Sequence, residues 1–163
     1  MNPARREPNS RGWYRAWGAF RRDTAGSQAV ILHAGLMAAY EKARWRGVLI
    51  TGPSGAGKSD LALRMIEAGW RLVADDRTLI WISRGELYGR APDALAGKIE
   101  VRGLDVVFEP SLPYCAIQLS VADGTPERLP GADKCTYLGL QLPHLVLPLL
   151  EGSSLAKIGR ALR

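Results

Sequence analysis

Cysteine and histidine are scarce in this sequence, with only two of each among 163 residues. Cys115 and Cys135 do not have the close spacing of a metal-binding cysteine pair, and no secretory leader precedes them. The sequence therefore gives no support for a cysteine-based metal site or for a secreted, disulfide-stabilised domain. We expect a protein of the reducing cytoplasm.

Long apolar runs are missing as well. The longest one, residues 145–150, is interrupted by Pro148 and is far shorter than the roughly 20 residues of a membrane helix. Hydrophobic residues make up 47% of the chain and charged residues 23%, which is typical of a globular domain. The sequence predicts no membrane association.

Acidic residues are outnumbered, and the formal net charge is +6. Residues 1–28 contain six arginines against Glu7 and Asp23, so this segment carries +4 and the rest of the chain only +2. A surface for nucleic acid is therefore not indicated. The segment has no hydrophobic period, and we expect a poorly ordered basic tail. A transit peptide and a mis-assigned start codon are the alternatives.

The remaining residues, 29–163, are enough for one compact domain. Short apolar, β-branched runs and turn residues predict strands, and an amphipathic pattern predicts helices. The predicted strands cover residues 30–39, 47–51, 71–74, 78–82, 86–88, 99–108, 116–121, 137–140 and 145–149, and the predicted helices cover 59–68 and 154–162. Strands mixed with helices predict an α/β domain.

A glycine-rich loop stands between the strand at 47–51 and the helix that follows. It matches the pattern G-x-x-x-x-G-K-[ST], a P-loop, and predicts binding of ATP with Mg²⁺. The predicted nucleotide contacts are Gly52, Pro53, Ser54, Gly55, Ala56, Gly57, Lys58 and Ser59. Backbone N–H groups would surround the phosphates, Lys58 would reach the β- and γ-phosphates, and the Ser59 hydroxyl would ligate the metal.

Two acids, Asp75 and Asp76, end the strand at 71–74. A second parallel strand would bring them beside the phosphate loop, where an acid supports Mg²⁺ or accepts a proton from an attacking hydroxyl. A solvated pair of acids in a turn is the alternative.

Other polar residues are less informative. Strand alternation places Glu100 and Arg102 on one face, which suits a magnesium-triphosphate site or an ordinary exposed ion pair. His33 lies in an apolar stretch, where a histidine is more often a packed core residue than a catalyst. His144 has still less to indicate a function.

Taken together, these segments resemble HPr kinase/phosphorylase, a bacterial enzyme that phosphorylates a serine of the phosphocarrier HPr. The matching segments are residues 32–35, 47–63, 69–76 and 99–104. The resemblance implies that Asp76 is the general base, that Lys58 holds the transferring phosphate, and that Ser59 and Glu100 serve Mg²⁺. It also implies that His33 lies beside Asp76 and tunes it, with Asp75 and Arg102 in support.

The resemblance further implies a mixed sheet with a nucleotide site similar to that of phosphoenolpyruvate carboxykinase. The partner would be HPr or its nitrogen-related paralogue, and the chain would form a homo-oligomer, since family members form hexamers. The sequence departs from the family at three points. Fewer than 30 residues precede the kinase segment, so we expect no regulation through the family's N-terminal domain. Ser153 stands where the family carries an arginine, and the sequence ends at Arg163, before the region that long members use for dephosphorylation. The short form is similar to those of alphaproteobacteria, and its phosphorylase activity is in doubt.

Two other functions fit a phosphate loop. A small-metabolite kinase would need a lid with arginines over the triphosphate, and the arginines of the second half are scattered. An ATP-binding regulatory module without turnover is the other possibility, which Ser153 favours.

Overall fold

The computed structural model describes residues 29–129 and 131–163. The predicted basic tail, residues 1–28, lies outside the described residues. Within the described ranges the strands are β1 Val30–Leu32, β2 Ala34–Glu41, β3 Arg44–Thr51, β4 Arg71–Ala74, β5 Thr78–Ser83, β6 Glu86–Arg90, β7 Lys98–Val101, β8 Asp105–Phe108, β9 Cys115–Asp123, β10 Lys134–Tyr137 and β11 Leu140–Leu147. The helices are α1 Lys58–Glu67 and α2 Ser154–Ala161, with a short 3₁₀ turn at Asp93–Leu95.

Nine strands form one mixed sheet, in the order β1-β5-β6-β9-β3-β2-β4, with β11 paired to β9 and β10 paired to β11. Strand β3 runs parallel to β9 and antiparallel to β2. Strands β7 and β8 form a separate hairpin. The mixed sheet that the resemblance implied is confirmed, and so is the α/β class.

Two hydrophobic clusters lie on opposite faces of the sheet because side chains alternate along each strand. On β3, Val48 and Ile50 face α1 and α2, where they pack with Leu61 and Ile158. Leu49 faces the other way, into a cluster that also draws residues from β5, β6 and β11. Helices therefore cover one face, while the sheet curls around the other. Ile50 is fully buried, and truncation to alanine should cost roughly 2–5 kcal/mol.

Helix α1 follows the glycine loop directly. Its buried residues Leu61, Ala62 and Met65 share the face that packs on the sheet. The helix ends at Glu67, and the left-handed Gly69 (φ 91°) closes it by donating its N–H to the Ile66 carbonyl. The predicted helix and its glycine stop are confirmed within one residue at each end.

The prediction of one strand over residues 30–39 is wrong in detail. The chain bends at His33, so β1 and β2 are separate strands that pair with β5 and β3 respectively. Strand β2 also continues through Glu41, and the turn falls at Lys42 and Ala43, both in left-handed conformations. Because Tyr40 and Glu41 pair with Trp45 and Arg44, the predicted strand at 47–51 begins earlier, at Arg44.

Two further strand predictions are corrected by turns. Residues 99–108 form the β7–β8 hairpin, with the left-handed Gly103 in its turn. Residues 137–140 contain the turn between β10 and β11, where Leu138 and Gly139 both have positive φ. The strand at 71–74 is found with the predicted ends, and the other predicted strands and the helix at 154–162 are found with shifts of their ends. In the described residues we find no helix that is both long and apolar enough to cross a bilayer.

Candidate functional site

The glycine loop leaves the carboxyl end of β3 and returns as the first turn of α1. The Ala56 N–H donates to the Pro53 carbonyl at 3.1 Å, which tightens the loop. Gly57 has φ 101°, and a Cβ placed on it would lie 2.5 Å from the Leu150 Cδ2 atom. Only glycine meets both conditions at this position. With no side chain at Gly57 to cap it, and none supplied by the rest of the described chain, α1 keeps its first N–H groups for a ligand.

Lys58 is held inside this loop. The residue is only 7% exposed, and its Nζ donates to the carbonyls of Gly52 at 2.8 Å and Pro53 at 3.0 Å. An ammonium group fixed against a curled backbone adds a positive charge to the positive end of the helix. The loop therefore concentrates donors and charge suited to an anion such as a phosphate.

Asp75 connects the loop to two other elements. Its Oδ1 accepts a hydrogen bond from the Ser59 hydroxyl at 2.9 Å, and its Oδ2 accepts one from the Glu100 backbone N–H at 3.1 Å. Asp75 is 8% exposed, and burial raises the pKa of its carboxyl above the ordinary value, although both hydrogen bonds oppose the shift. Nearby cationic charge, such as a divalent metal ion, would therefore favour its ionised form.

Asp76, the next residue, has a different environment. Its Oδ1 lies 2.6 Å from His33 Nε2, and the two side chains are 58% and 50% exposed. The half-exposed His33 is not a packed core residue, which was the alternative interpretation from the sequence. The arrangement that the resemblance implied, with His33 beside Asp76, is what the structure contains.

The strand that delivers these acids is not the neighbour of β3. Strand β2 lies between β3 and β4 and is antiparallel to both, so β3 and β4 point the same way. Their carboxyl ends therefore lie at the same edge of the sheet. The prediction that an acid meets the phosphate loop is confirmed for Asp75, which accepts the Ser59 hydroxyl.

Glu100 and Arg102 are placed differently from each other. Glu100 lies on the outward face of β7, opposite the buried Ile99, and it reaches Asp75 through its backbone and not its side chain. Arg102 follows the end of β7 and lies in the hairpin turn, so the shared strand face predicted for the two residues is not found. His144 lies elsewhere, on β11, where its Nδ1 is 3.1 Å from the Ser120 hydroxyl.

Three residues near the loop were not identified from the sequence. A Cβ on Gly52 would lie 3.1 Å from Asp123 Cβ, and the Asp123 carboxylate accepts the N–H of Leu149. Arg64 donates to the carbonyls of Leu149 and Glu151. Asp123 ends a strand beside β3, and this position is the one signal that could have revealed it. Leu150, which packs against Gly57, had no such signal.

The oxygen donors at the loop suit magnesium. Mg²⁺ prefers oxygen ligands and often takes only one or two from the protein, with phosphate and water completing the shell. The Ser59 hydroxyl and the Asp75 carboxylate, 2.9 Å apart, fit that need. No cluster of three or more His, Cys, Asp or Glu side chains suited to a metal occurs among the described residues.

Comparisons with known proteins find relatives of one family. The family model described as "HPr Serine kinase C-terminal domain" matches residues 26–108. An HPr kinase/phosphorylase of Azoarcus sp. is 38% identical over 128 residues, covering 68% of this chain and 40% of that protein. One from Stenotrophomonas maltophilia is 36% identical over 150 residues, covering 81% of this chain and 46% of that protein.

A solved structure gives a likeness at the level of the fold. The structure of the Hpr(Ser) kinase/phosphatase from Coxiella burnetii superposes with a TM-score of 0.64 at 26% identity, covering 81% of this chain and 97% of that one. The chain spans less than half the length of the curated relatives named above.

Proposed function

The chain belongs to the family of the HPr serine kinase C-terminal domain, and we propose that it is an ATP-dependent, cytoplasmic protein kinase. Its acceptor is a serine of HPr or of the nitrogen-related HPr-like phosphocarrier, and the modification regulates the phosphotransferase system. Gly52 to Ser59 hold the nucleotide, with Mg²⁺ as the required cofactor.

One observation carries this proposal: two adjacent acids make contacts with two different elements of the fold. Asp75 is buried against Ser59 of the phosphate loop, and Asp76 is exposed and paired with His33. In the proposed step the acceptor serine oxygen attacks the γ-phosphorus and its proton passes to Asp76. The bond from the γ-phosphorus to the β–γ bridging oxygen breaks, and ADP leaves.

The remaining residues position and neutralise charge in this proposal. Lys58 moves from the loop carbonyls to the transferring phosphate, a short displacement because those carbonyls line the same loop. Ser59 and Asp75 serve the metal, with Glu100 as a further ligand and Arg102 in a supporting position. His33 orients the Asp76 carboxylate.

The exposure of the acceptor side favours a protein substrate over a small metabolite. Metabolite kinases enclose a small acceptor, because water must be kept from the transferring group. Here Asp76 and His33 lie open at the surface, 58% and 50% exposed. A protein acceptor would bring its own surface to cover them.

Incubation of the purified chain with labelled ATP and Mg²⁺ tests the proposal. The acceptors are HPr, the nitrogen-related carrier, each carrier with its acceptor serine changed to alanine, and a metabolite panel. We expect label on a carrier, none on its alanine variant, and none with Lys58→Ala. Label on a metabolite alone, or ATP consumption at background with every acceptor, would refute it. A parallel tube with phosphorylated carrier and inorganic phosphate measures the reverse reaction.

A further inference from the structure

We infer that Thr78 is a positioning residue for the pair formed by His33 and Asp76. Thr78 begins β5, the strand that follows Asp76, and its buried hydroxyl holds the bend that carries His33 against this strand. The arrangement of Thr78, His33 and Asp76 belongs to the fold and does not depend on any function. Its consequence for phosphoryl transfer rests on the proposed function.

Thr78 contacts the residues on both sides of the bend at His33. It is the first residue of β5 and is fully buried. Its Cα pairs with that of Leu32, the residue before His33. Its Oγ1 donates to the carbonyl of Ala34, the residue after His33, at 2.7 Å. A single residue therefore fixes the backbone on each side of the histidine.

The same residue limits the position of Asp76, which lies two positions earlier. Asp76 has a left-handed backbone (φ 64°), and the Arg77 N–H donates to the Asp75 carbonyl at 2.7 Å in a tight turn. Asp76 thus sits on a short turn between the end of β4 and the anchored Thr78. The His33 and Asp76 side chains are half exposed, so little packing of their own holds them at 2.6 Å. Their alignment depends on the backbone beneath them.

The two branches of the threonine side chain have separate roles. A Cβ placed on Gly89 would lie 3.0 Å from Thr78 Cγ2, so the methyl branch packs against the β6 backbone. The hydroxyl branch faces the Ala34 carbonyl at a distance too short for a methyl group, whose contact with a carbonyl oxygen is about 3.3–3.6 Å. Thr78→Val should therefore push the His33 corner away, while Thr78→Ser keeps the hydrogen bond.

An NMR measurement tests the inference without any enzyme activity. His33 and His144 are the only histidines, so the ring signals of each can be assigned, and His144 serves as an internal reference. We expect Asp76→Asn to shift the His33 signals in the wild-type background and in Thr78→Ser. In Thr78→Val we expect that response to fall to less than half. An undiminished response in Thr78→Val would overturn the inference.

Two further variants protect the test against general destabilisation. Thr78→Ala also removes the hydroxyl but adds no clashing methyl, and we expect the same loss of response if Thr78→Val does not fold. Ser154→Ala is the matched control, since Ser154 is equally buried and its hydroxyl also donates to a backbone carbonyl, that of Pro148 at 2.8 Å. It should leave the response of His33 unchanged. Loss of the response in Ser154→Ala would count against a specific role for Thr78.

Kinetics then test the consequence. We expect Thr78→Val to lower kcat by roughly 10- to 100-fold, with the KM for ATP unchanged, because misplacing a catalytic group by about 1 Å has an effect of this order. Thr78→Ser should restore most of the rate. If the wild type transfers phosphate to no carrier, the proposed function fails while the NMR result still decides on Thr78. A KM for ATP that rises as steeply as kcat falls would point to general damage and overturn the positioning role.

Discussion

Asp75 and Asp76 are the same residue type and are joined by one peptide bond, yet they occupy opposite environments. Asp75 is 8% exposed and accepts hydrogen bonds from Ser59 and Glu100. The Asp76 side chain is 58% exposed and is paired with His33 alone among the contacts found in the described chain. The change from strand β4 to a left-handed turn at Asp76 separates the two carboxylates.

This difference suggests how one short segment can serve two steps of a reaction. A carboxylate that supports a metal must be held rigidly, and burial with two hydrogen bonds does this. A carboxylate that accepts a proton from a protein substrate must be reachable from solvent. Four experiments would break or sharpen the comparison.

The largest effect should come from Asp76→Asn. Loss of a general base typically costs about 100- to 10,000-fold in rate, so we expect carrier phosphorylation to fall by that factor. Nucleotide affinity, measured by calorimetry, should stay within about 2-fold, because among the described residues the Asp76 carboxylate is paired with His33 and makes no hydrogen bond to the loop. Asparagine tolerates the left-handed backbone, so the fold is kept. Phosphorylation at the wild-type rate would show that Asp76 is not the base.

Asp75→Asn should have the opposite profile. Groups that hold a metal ligand in place typically contribute about 10- to 100-fold to metal affinity, so we expect the affinity for MgATP to fall by that factor. Affinity for ATP measured with EDTA should change little. Asp76→Asn is the matched control, since it removes the neighbouring charge without touching Ser59. Equal losses of MgATP affinity in the two variants would erase the distinction between the two acids.

Gly57→Ala tests the loop itself. A residue other than glycine at φ 101° is strained by roughly 1–3 kcal/mol, and we expect the free energy of unfolding to fall by that amount. The Leu150 side chain is 65% exposed and can turn away from the added methyl group, so Leu150→Ala should recover only the small steric part of the lost stability. Gly159→Ala, within α2 and with open space around it, is the control and should stabilise by about 0.5–1 kcal/mol. A Gly57→Ala protein as stable as wild type in urea would contradict the assigned strain.

The smallest effect should be a pH dependence of stability without Mg²⁺. Burial raises the pKa of Asp75 above its ordinary value of 3.8. At a pH between 3.8 and the folded-state pKa, the folded chain therefore keeps a proton on Asp75 that the unfolded chain has already lost. Native stability attributable to Asp75 therefore falls as the pH rises from 3.8 through the folded-state pKa, and it is constant above. Asp75→Asn lacks this loss. We therefore expect the free energy of unfolding of Asp75→Asn to increase relative to that of wild type as the pH rises. A difference that stays constant with pH would contradict the burial effect.

Local patterns in the sequence predicted much of this site. The strand, glycine loop and helix at 47–68 and the strand Arg71–Ala74 have strong local signals, and each was located within a few residues. The turn at Leu138 and Gly139 was predicted as part of a strand, because leucine rarely adopts a left-handed backbone conformation. The bend at His33 also has no local signal, since it results from pairing of the flanking strands with β5 and β3.

Residue roles that depend on long-range contacts were harder to predict. The resemblance indicated the His33–Asp76 pair, which no periodicity could give, because 43 residues separate its members. Asp75 was assigned only a supporting place, although it links Ser59 to the hairpin that carries Glu100. Thr78 belongs to no motif, and its contact with the Ala34 carbonyl exists only after β1, β2 and β5 have come together.

The attachment of Leu149 to both Arg64 and Asp123 has a consequence for biosynthesis. These two hydrogen bonds behind the glycine loop span 85 and 26 residues of sequence, so the ribosome must add Leu149 before either of them can form. Contacts this distant in sequence are slow to close during folding. A nascent chain halted before Leu149 would carry the complete G-x-x-x-x-G-K-[ST] motif without its support, so competence for nucleotide should arise only after Leu149 has been synthesised.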